Sequence, residues 1–309
     1  MNSVKIISIP IVLLLIGMSI PTTATDNIAE DSYKIIETFN GNILYVGGSG
    51  PGNYTAIQDA IDNASDDDTV FVYDESSPYY ENIVIKKSID LIGESKNTTV
   101  IDGGGSGHVV CISSDFIEFS EFTIWNSGDN NRDAGIYINS SYNNISNNII
   151  SDNKLGIYVD INDNYGIYDN IITQNTILKN DKGIFLMMTY NAVISKNIII
   201  SNDYGIYTRG GVFFACNNTI IIRNSIINNT FGIELTFQSS ASINFNNFIN
   251  NKRSATFFLG TLDRINWNNN FWGRLRILPK PILGMHGFFI LRFPWLDFDW
   301  HPAQEPYDI

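Results

Sequence analysis

One short motif, N-x-I-x-x-N-x-x-G-I, recurs through the middle of this chain at a spacing that suits stacked repeats. Five segments align without gaps: NIISDNKLGIYV from Asn148, NTILKNDKGIFL from Asn175, NIIISNDYGIYT from Asn197, NSIINNTFGIEL from Asn224, and NFINNKRSATFF from Asn247 or its neighbour Asn246. The first four carry Gly156, Gly183, Gly205 and Gly232, and a degenerate earlier copy ends at Gly135. Asn-to-Asn spacings run 27, 22, 27 and, with the last copy anchored at Asn246, 22 again, so two of the gaps hold the same five-residue insertion.

Each repeat contains three short runs with only two or three inward apolar positions apiece. That is too few for a helix and suits strands of three to five residues. Asn, Asp, Gly and Ser separate the runs, as turns require. One repeat cannot bury its own apolar face, but stacked repeats can. The Asn148, Asn175, Asn197 and Asn224 side chains then lie over one another as amide ladders, and Gly156, Gly183, Gly205 and Gly232 form a single column. A leucine-rich repeat has a similar period but needs an L-x-L register that does not recur here. The calcium-binding G-G-x-G-x-D repeat is also excluded, because Asp102–Gly107 (DGGGSG) occurs once. The expected fold is all-β: a single-stranded right-handed parallel β-helix (solenoid) of about eight coils, ~40 Å long.

The flanks read as caps over open ends. In Tyr54–Ala64 (YTAIQDAIDNA), Ile57, Ala60, Ile61 and Ala64 share a helical face, and Thr55 with Gln58 makes a capping box. From Asn266 onward the chain turns Pro-rich and aromatic, with four of its five tryptophans, and reads as a C-terminal aromatic cap. The domain plan is 1–24 signal peptide, 25–42 mature N-terminal segment without an ordering pattern, 43–265 β-helix, and 266–309 C-terminal cap segment. The signal peptide rests on Lys5, the apolar run Ile6–Ile20, and small residues Thr22-Thr23-Ala24. The run is short of the ~20 residues a spanning helix needs, so no membrane span is expected after cleavage.

Charge narrows the partners. The chain has 32 acidic against 19 basic residues and a net charge of −13. Removing the signal peptide removes one base and no acid. This sign argues against nucleic acid and anionic membrane surfaces. Cys111 and Cys216 fall about four coils apart, too far for a disulfide, and read as small buried residues. Seven Asn-x-Ser/Thr acceptors occur, from Asn53 to Asn228.

Three stretches then carry a family resemblance: the opening YTAIQDAIDNASDDDTVFV…YYENIVIKKSIDLIGE…VIDG, the repeat body, and the ending NFWG…PWLDFDWHPA. Over residues 43–309 the chain resembles the NosD-like, pectin-lyase-like group of parallel β-helix repeat proteins, with an ending like those of secreted, archaeal-type members. The resemblance implies the fold and leaves activity open, because this fold hosts many functions.

Four sets of residues are candidates for chemistry. In each GI-x-x strand the residue after Gly points inward and the next outward. Tyr137, Tyr158, Phe185 and Tyr207, then Glu234, should therefore form an exposed file of rings suited to stacking on sugars. The alternative is cross-strand stabilisation alone. Asp181 and Asp203 occupy equivalent turn positions, the spacing a glycosidase carboxylate pair needs, although turns favour Asp for local reasons. Arg132, Arg209 and Arg223 are available as lyase bases but sit in no recognised motif. Asp297, Asp299 and His301 share one side of an extended segment and would suit a divalent ion; alternation in a cap strand explains them equally well. Copper, which the NosD name implies, wants grouped His, Cys or Met. His108, His286 and His301 are scattered, and Met187-Met188 point oppositely.

The leading expectation is an exported extracellular or cell-surface protein, non-catalytic, binding a polysaccharide or cell-envelope glycan or building the envelope, without a cofactor. The alternatives are a polysaccharide-active lyase, hydrolase or epimerase, and a copper accessory factor.

Overall fold

Each repeat folds into three short strands, and each strand pairs with its counterpart one coil on. The structure is a computed structural model describing residues 41–160, 166–211, 216–238, 240–259, 264–288 and 291–309. The proposed signal peptide and the 25–40 segment lie outside the described residues. Among the described residues three long sheets of ten, eight and ten strands result, with a small fourth made by Ile167–Tyr168 and Thr189–Tyr190. The first face runs from Ile43–Val46 to Arg264–Asn268 and the second from Tyr79–Tyr80 to Asn247–Ile249. The third runs from Ile83–Ile85 to Arg253–Leu259 and ends in an antiparallel pair, Lys280–Phe288 with Leu291–Asp299. This is a parallel β-solenoid of about nine coils, one more than expected. Its last first-face strand crosses the boundary drawn at residue 265.

Isoleucine builds the interior because in-register stacking sets like over like. Ile145, Ile172, Ile194, Ile221 and Ile243 pair down the first face. Ile150, Ile177, Ile199 and Ile226 do so on the second, and Ile136, Ile157, Ile184, Ile206 and Ile233 on the third. All are fully buried. A β-branched side chain has little rotamer freedom to lose in a strand, and each one contributes on the order of 1.5–3 kcal/mol by leaving water. At the C-terminal end aromatic residues take over. Trp267 follows Ile243, Phe248 follows Ile226, and Trp272 stacks on Phe248 at 4.4 Å.

The corners are tight. Between first and second faces a left-handed residue precedes a buried Asn: Gln174 (φ 57°) before Asn175, Lys196 (54°) before Asn197, Arg223 (53°) before Asn224. Between second and third faces, Lys179, Ser201 and Asn228 precede Asn180, Asn202 and Asn229 in the same way. A left-handed residue with a side chain costs roughly 1–2 kcal/mol, and the Asn offsets it. Asn175 Oδ1 accepts the Asn148 N–H at 2.9 Å, Asn197 Oδ1 that of Asn175 at 2.9 Å, and Asn224 Oδ1 that of Asn197 at 3.0 Å. The second corner repeats the ladder through Asn153, Asn180, Asn202, Asn229 and Asn251.

The first ladder continues through Asn246 and Asn270 and ends on Asp299. Asp299 Oδ2 accepts Asn270 N–H at 2.9 Å, Asn270 Nδ2 at 3.2 Å and Trp272 Nε1 at 3.0 Å, and Asp299 Oδ1 accepts His301 N–H at 3.2 Å. An interior rung must accept and donate. The last rung has no coil beyond it and needs only to accept, which a carboxylate does.

Gly156, Gly183, Gly205 and Gly232 line up in one column. A Cβ on Gly156 would lie 2.4 Å from Gly183 O, on Gly183 2.7 Å from Gly205 O, and on Gly205 2.6 Å from Gly232 O. Close stacking, not a left-handed φ, demands glycine here. The five-residue insertions fall between third and first faces. The expected buried, undivided role for both cysteines needs correction at Cys111. Both are free and Cys216 is buried, but Cys111 is partly exposed because its strand position points outward.

At the N-terminal end Ile57–Asn63 is α-helical and buries Ile57, Ala60 and Ile61 in the main core. The capping box of Thr55 and Gln58 does not form. Glu81, brought back by the first coil, accepts the Ile57 and Gln58 N–H groups at 2.8 and 3.0 Å. Gln58 instead exchanges two hydrogen bonds with the Val84 backbone, covering the edge of the third face. Lys87 Nζ donates to the carbonyls of Ile61, Asp62 and Ala64.

Candidate functional site

Alternation turns every second third-face residue away from the core, and the register gathers these into files. One file runs Cys111, Tyr137, Tyr158, Phe185, Tyr207, Glu234, Thr256. Its neighbour runs Ala134, Leu155, Lys182, Tyr204, Phe231, Arg253. The four predicted rings therefore stack as expected, at successive centroid spacings of 5.5, 4.9 and 5.0 Å.

Their expected exposure is corrected. Tyr137, Tyr158 and Phe185 are only 8%, 1% and 8% exposed, while Tyr207 is half-buried. Outward of the core is not outward to water here, because the rings belong to a second hydrophobic cluster with Ala134 and Leu155. His108 lies flat on Tyr137 at 4.4 Å. The Tyr158 hydroxyl donates to buried Asp160, which also meets Arg132 at 3.5 Å. Burial pushes the Tyr137 hydroxyl up to about 12. An open sugar platform at Tyr137, Tyr158 and Phe185 does not exist. These rings bind the sheet together.

Further along, the same surface opens and acquires charge. Tyr204 and Phe231 stack at 4.8 Å with planes 9° apart, both half-buried. Lys182 Nζ stands 5.7, 5.6 and 5.7 Å from the Phe185, Tyr204 and Tyr207 rings, and Arg253 Cζ is 5.7 Å from Phe231. Burial lowers Lys182 from the usual ammonium range. Burial also raises the Glu234 carboxyl, with Arg253 and Lys182 drawing it partly back. Next to Glu234 lies a cavity of about 340 Å³ whose lining includes Thr236, Arg253, Phe257, Met285 and Arg292. A hollow of about 280 Å³ shares Arg253 and adds Lys252, Trp272 and Lys280, with Lys280 Nζ 5.6 Å from the Trp272 ring. Aromatic faces and cations alternate along this strip. Such a surface stacks on the C–H faces of sugars and pairs with anionic substituents.

The other predicted groups do not assemble. Asp181 and Asp203 do lie on adjacent coils, with Tyr204 N–H donating to Asp181 O, but the Asp181 carboxylate is held by Lys154 at 2.6 Å. The Asp297, Asp299, His301 grouping is dissolved by the ladder, because Asp299 is fully buried as its last rung. His301 Nδ1 sits 3.1 Å from Asn268 Oδ1, and Asp297 Oδ1 accepts the Phe298 N–H. The copper donors are equally dispersed: His108 on Tyr137, His286 edge-on to Phe257 and Trp295, Cys216 Sγ 3.7 Å from Leu186 O. Among the described residues no three His, Cys, Asp or Glu side chains converge as a metal site.

Sequence reasoning reached Glu234 but missed Lys182, Tyr204, Phe231 and Arg253. Their signal was the residue preceding each repeat glycine, which changes from Leu155 to Lys, Tyr and Phe while the Gly-Ile that follows it holds constant.

Solved structures share the fold. A pectate lyase matches with a TM-score of 0.50 and 14% identity over 76% of this chain and 70% of that one. The A-module of mannuronan C-5 epimerase from Azotobacter vinelandii matches with a TM-score of 0.47 and 12% identity over 71% and 73%. At 14% identity the pectate lyase match establishes architecture alone. No curated protein matches the chain. The profile of the family "Periplasmic copper-binding protein (NosD)" matches residues 61–278, well over half of the chain, and the protein therefore belongs to the NosD family.

Proposed function

We propose that this protein is an exported β-helix that binds an acidic polysaccharide without cleaving it, along the outer strip from Lys182 to Lys280. One observation carries this: the half-exposed Tyr204–Phe231 stack, with Lys182 and Arg253 over its rings, lies beside the Glu234 cavity, which Arg253 also lines. Rings supply stacking surface and cations supply charge pairing, so polymers bearing carboxylates fit better than neutral glucans. The family's name concerns copper, but the dispersed His, Cys and Met donors described above do not fit that ion.

Glu234 favours one second reading, a polysaccharide-active enzyme, because a carboxyl raised by burial beside cations can exchange a proton. The described residues lining its cavity supply this single carboxylate, and a hydrolase needs two.

Affinity electrophoresis in gels containing polygalacturonate, alginate or a neutral glucan tests the proposal, run beside a lyase assay. Retardation by the acidic polymers, lowered at least tenfold by Lys182→Gln with Arg253→Gln, is expected. Equal mobility in all gels refutes binding, and polymer cleavage that Glu234→Gln abolishes moves the assignment to the enzyme.

A further inference from the structure

The C-terminal segment carries a surface that adjoins the glycan strip, sharing Lys280 and Met285 with it, and whose exposed Leu275, Ile277 and Leu278 the strip does not account for. Leu275, Ile277 and Leu278 are 64%, 89% and 74% exposed, within Arg274-Leu-Arg-Ile-Leu-Pro-Lys280. Three cations therefore alternate with three aliphatic side chains left in water. The cations crowd one another: burial and the nearby Arg276 and Arg274 charges lower Lys280. The tip is held in place. Gln304 Nε2 donates to Arg276 O at 2.6 Å, and Pro279 and Pro281 stiffen its exit. Just beyond, the terminal hairpin presents Leu283 opposite Leu296 and Met285 opposite Pro294, all exposed.

Exposed apolar groups in such a cluster mark a docking surface, and charge decides what docks. From Arg264 to Leu296 there are five Lys and Arg residues and not one acid, in a chain of net charge −13. A second copy would bring the same cations against themselves. A glycan offers hydroxyls, for which Leu275, Ile277 and Leu278 have no hydrogen bonds. An anionic bilayer satisfies both features: its headgroups pair with the cations and its interface takes the aliphatic chains. The whole-chain charge argues against anionic membranes, and this stretch reverses that locally.

We infer that Arg274–Lys280, supported by the hairpin, seats the solenoid on an anionic lipid surface. The test is tryptophan quenching in the full chain by vesicles with brominated acyl chains, either phosphatidylcholine alone or with one third phosphatidylglycerol. Four of the five tryptophans follow residue 266 and none lies in residues 1–24, so the readout reports this end and not the apolar N-terminal run. Quenching is expected with the anionic vesicles, weakening with salt. Each cation should contribute roughly fivefold in affinity, so Arg274→Gln with Arg276→Gln is expected to lose about 25-fold. Ile277→Glu with Leu278→Glu, both at exposed positions, should abolish quenching while leaving the circular dichroism spectrum unchanged. Equal quenching by both vesicle types, quenching that survives Ile277→Glu with Leu278→Glu, or a dimer in sedimentation that those substitutions dissolve, would each overturn the inference.

Discussion

Asn197 is the rung on which the ladder argument can be tested most sharply. Its Oδ1 accepts Asn175 N–H at 2.9 Å and Asn175 Nδ2 at 3.1 Å. Its Nδ2 donates to Ile172 O at 2.8 Å and Asn224 Oδ1 at 3.0 Å. Asn197→Ala strips all four, in a site with no exposure to water. Asn175 Nδ2 keeps Ile145 O and Asn224 Oδ1 keeps Asn197 N–H, so two groups, Asn175 N–H and Ile172 O, bear most of the loss. At about 1–3 kcal/mol per stranded buried group the cost is about 2–6 kcal/mol. Asn197→Asp separates acceptance from donation. The carboxylate still accepts from Asn175 but turns lone pairs toward Ile172 O and Asn224 Oδ1. It should cost more than alanine at neutral pH. Its folded-state pKa must then lie above the unfolded value, so the ionisation part of the penalty shrinks as pH falls through the folded pKa and vanishes below the unfolded one, leaving the loss of one donor. At the last rung only acceptance matters, so Asp299→Asn should lose about 1–2 kcal/mol by giving up charge assistance. Urea unfolding at several pH values, followed by circular dichroism, measures all three. An Asn197→Asp variant no worse than Asn197→Ala, with no recovery in acid, would show that the donors are satisfied elsewhere and refute the ladder.

Three further outcomes follow from the same geometry. Gly156→Ala places a Cβ 2.4 Å from Gly183 O and should cost about 1–3 kcal/mol or more, read as a lowered urea midpoint. Tyr158→Ser removes a 1%-exposed ring and should cost about 3–5 kcal/mol of stability while leaving glycan retention per folded molecule intact. Ionised Glu234 repels an acidic polymer, and its pKa is raised, so retention should strengthen as pH falls toward that pKa. Glu234→Gln should flatten this profile, and should also stabilise the protein at neutral pH, where the folded state holds the proton more tightly than the unfolded chain does.

The solenoid was legible because its determinants are local and repeated. The alternating spacings of 27 and 22 fix which Asn lies over which, and the structure places Asn148 through Asn246 in one hydrogen-bonded ladder. The helix cap was half legible. Apolar spacing revealed the buried face of Ile57, Ala60 and Ile61, but the residue that caps it, Glu81, lies 24 positions from Ile57 and is delivered by coil geometry. Local motif reading could only offer Thr55 and Gln58. The same holds for Asp299: an alternating Asp297-x-Asp299-x-His301 looks like ligands on one side until the ladder claims its middle member.

The site was misjudged for a different physical reason. Strand alternation gives the direction of a side chain, and direction was right for Tyr137, Tyr158, Phe185 and Tyr207. Exposure depends on the lateral neighbours, which belong to the adjoining file. Beside Tyr137 and Tyr158 that file holds Ala134 and Leu155, so the rings close into a second core. Beside Tyr207, Glu234 and Thr256 it holds Tyr204, Phe231 and Arg253, none of them buried, and the surface opens; Phe185, with Lys182 over its ring, still belongs to the closed cluster. The functional boundary on a solenoid thus lies where the variable file changes from apolar to charged, not along the file that repeats most faithfully. In this chain that change falls between Leu155 and Lys182, where the strip proposed to bind acidic glycan begins.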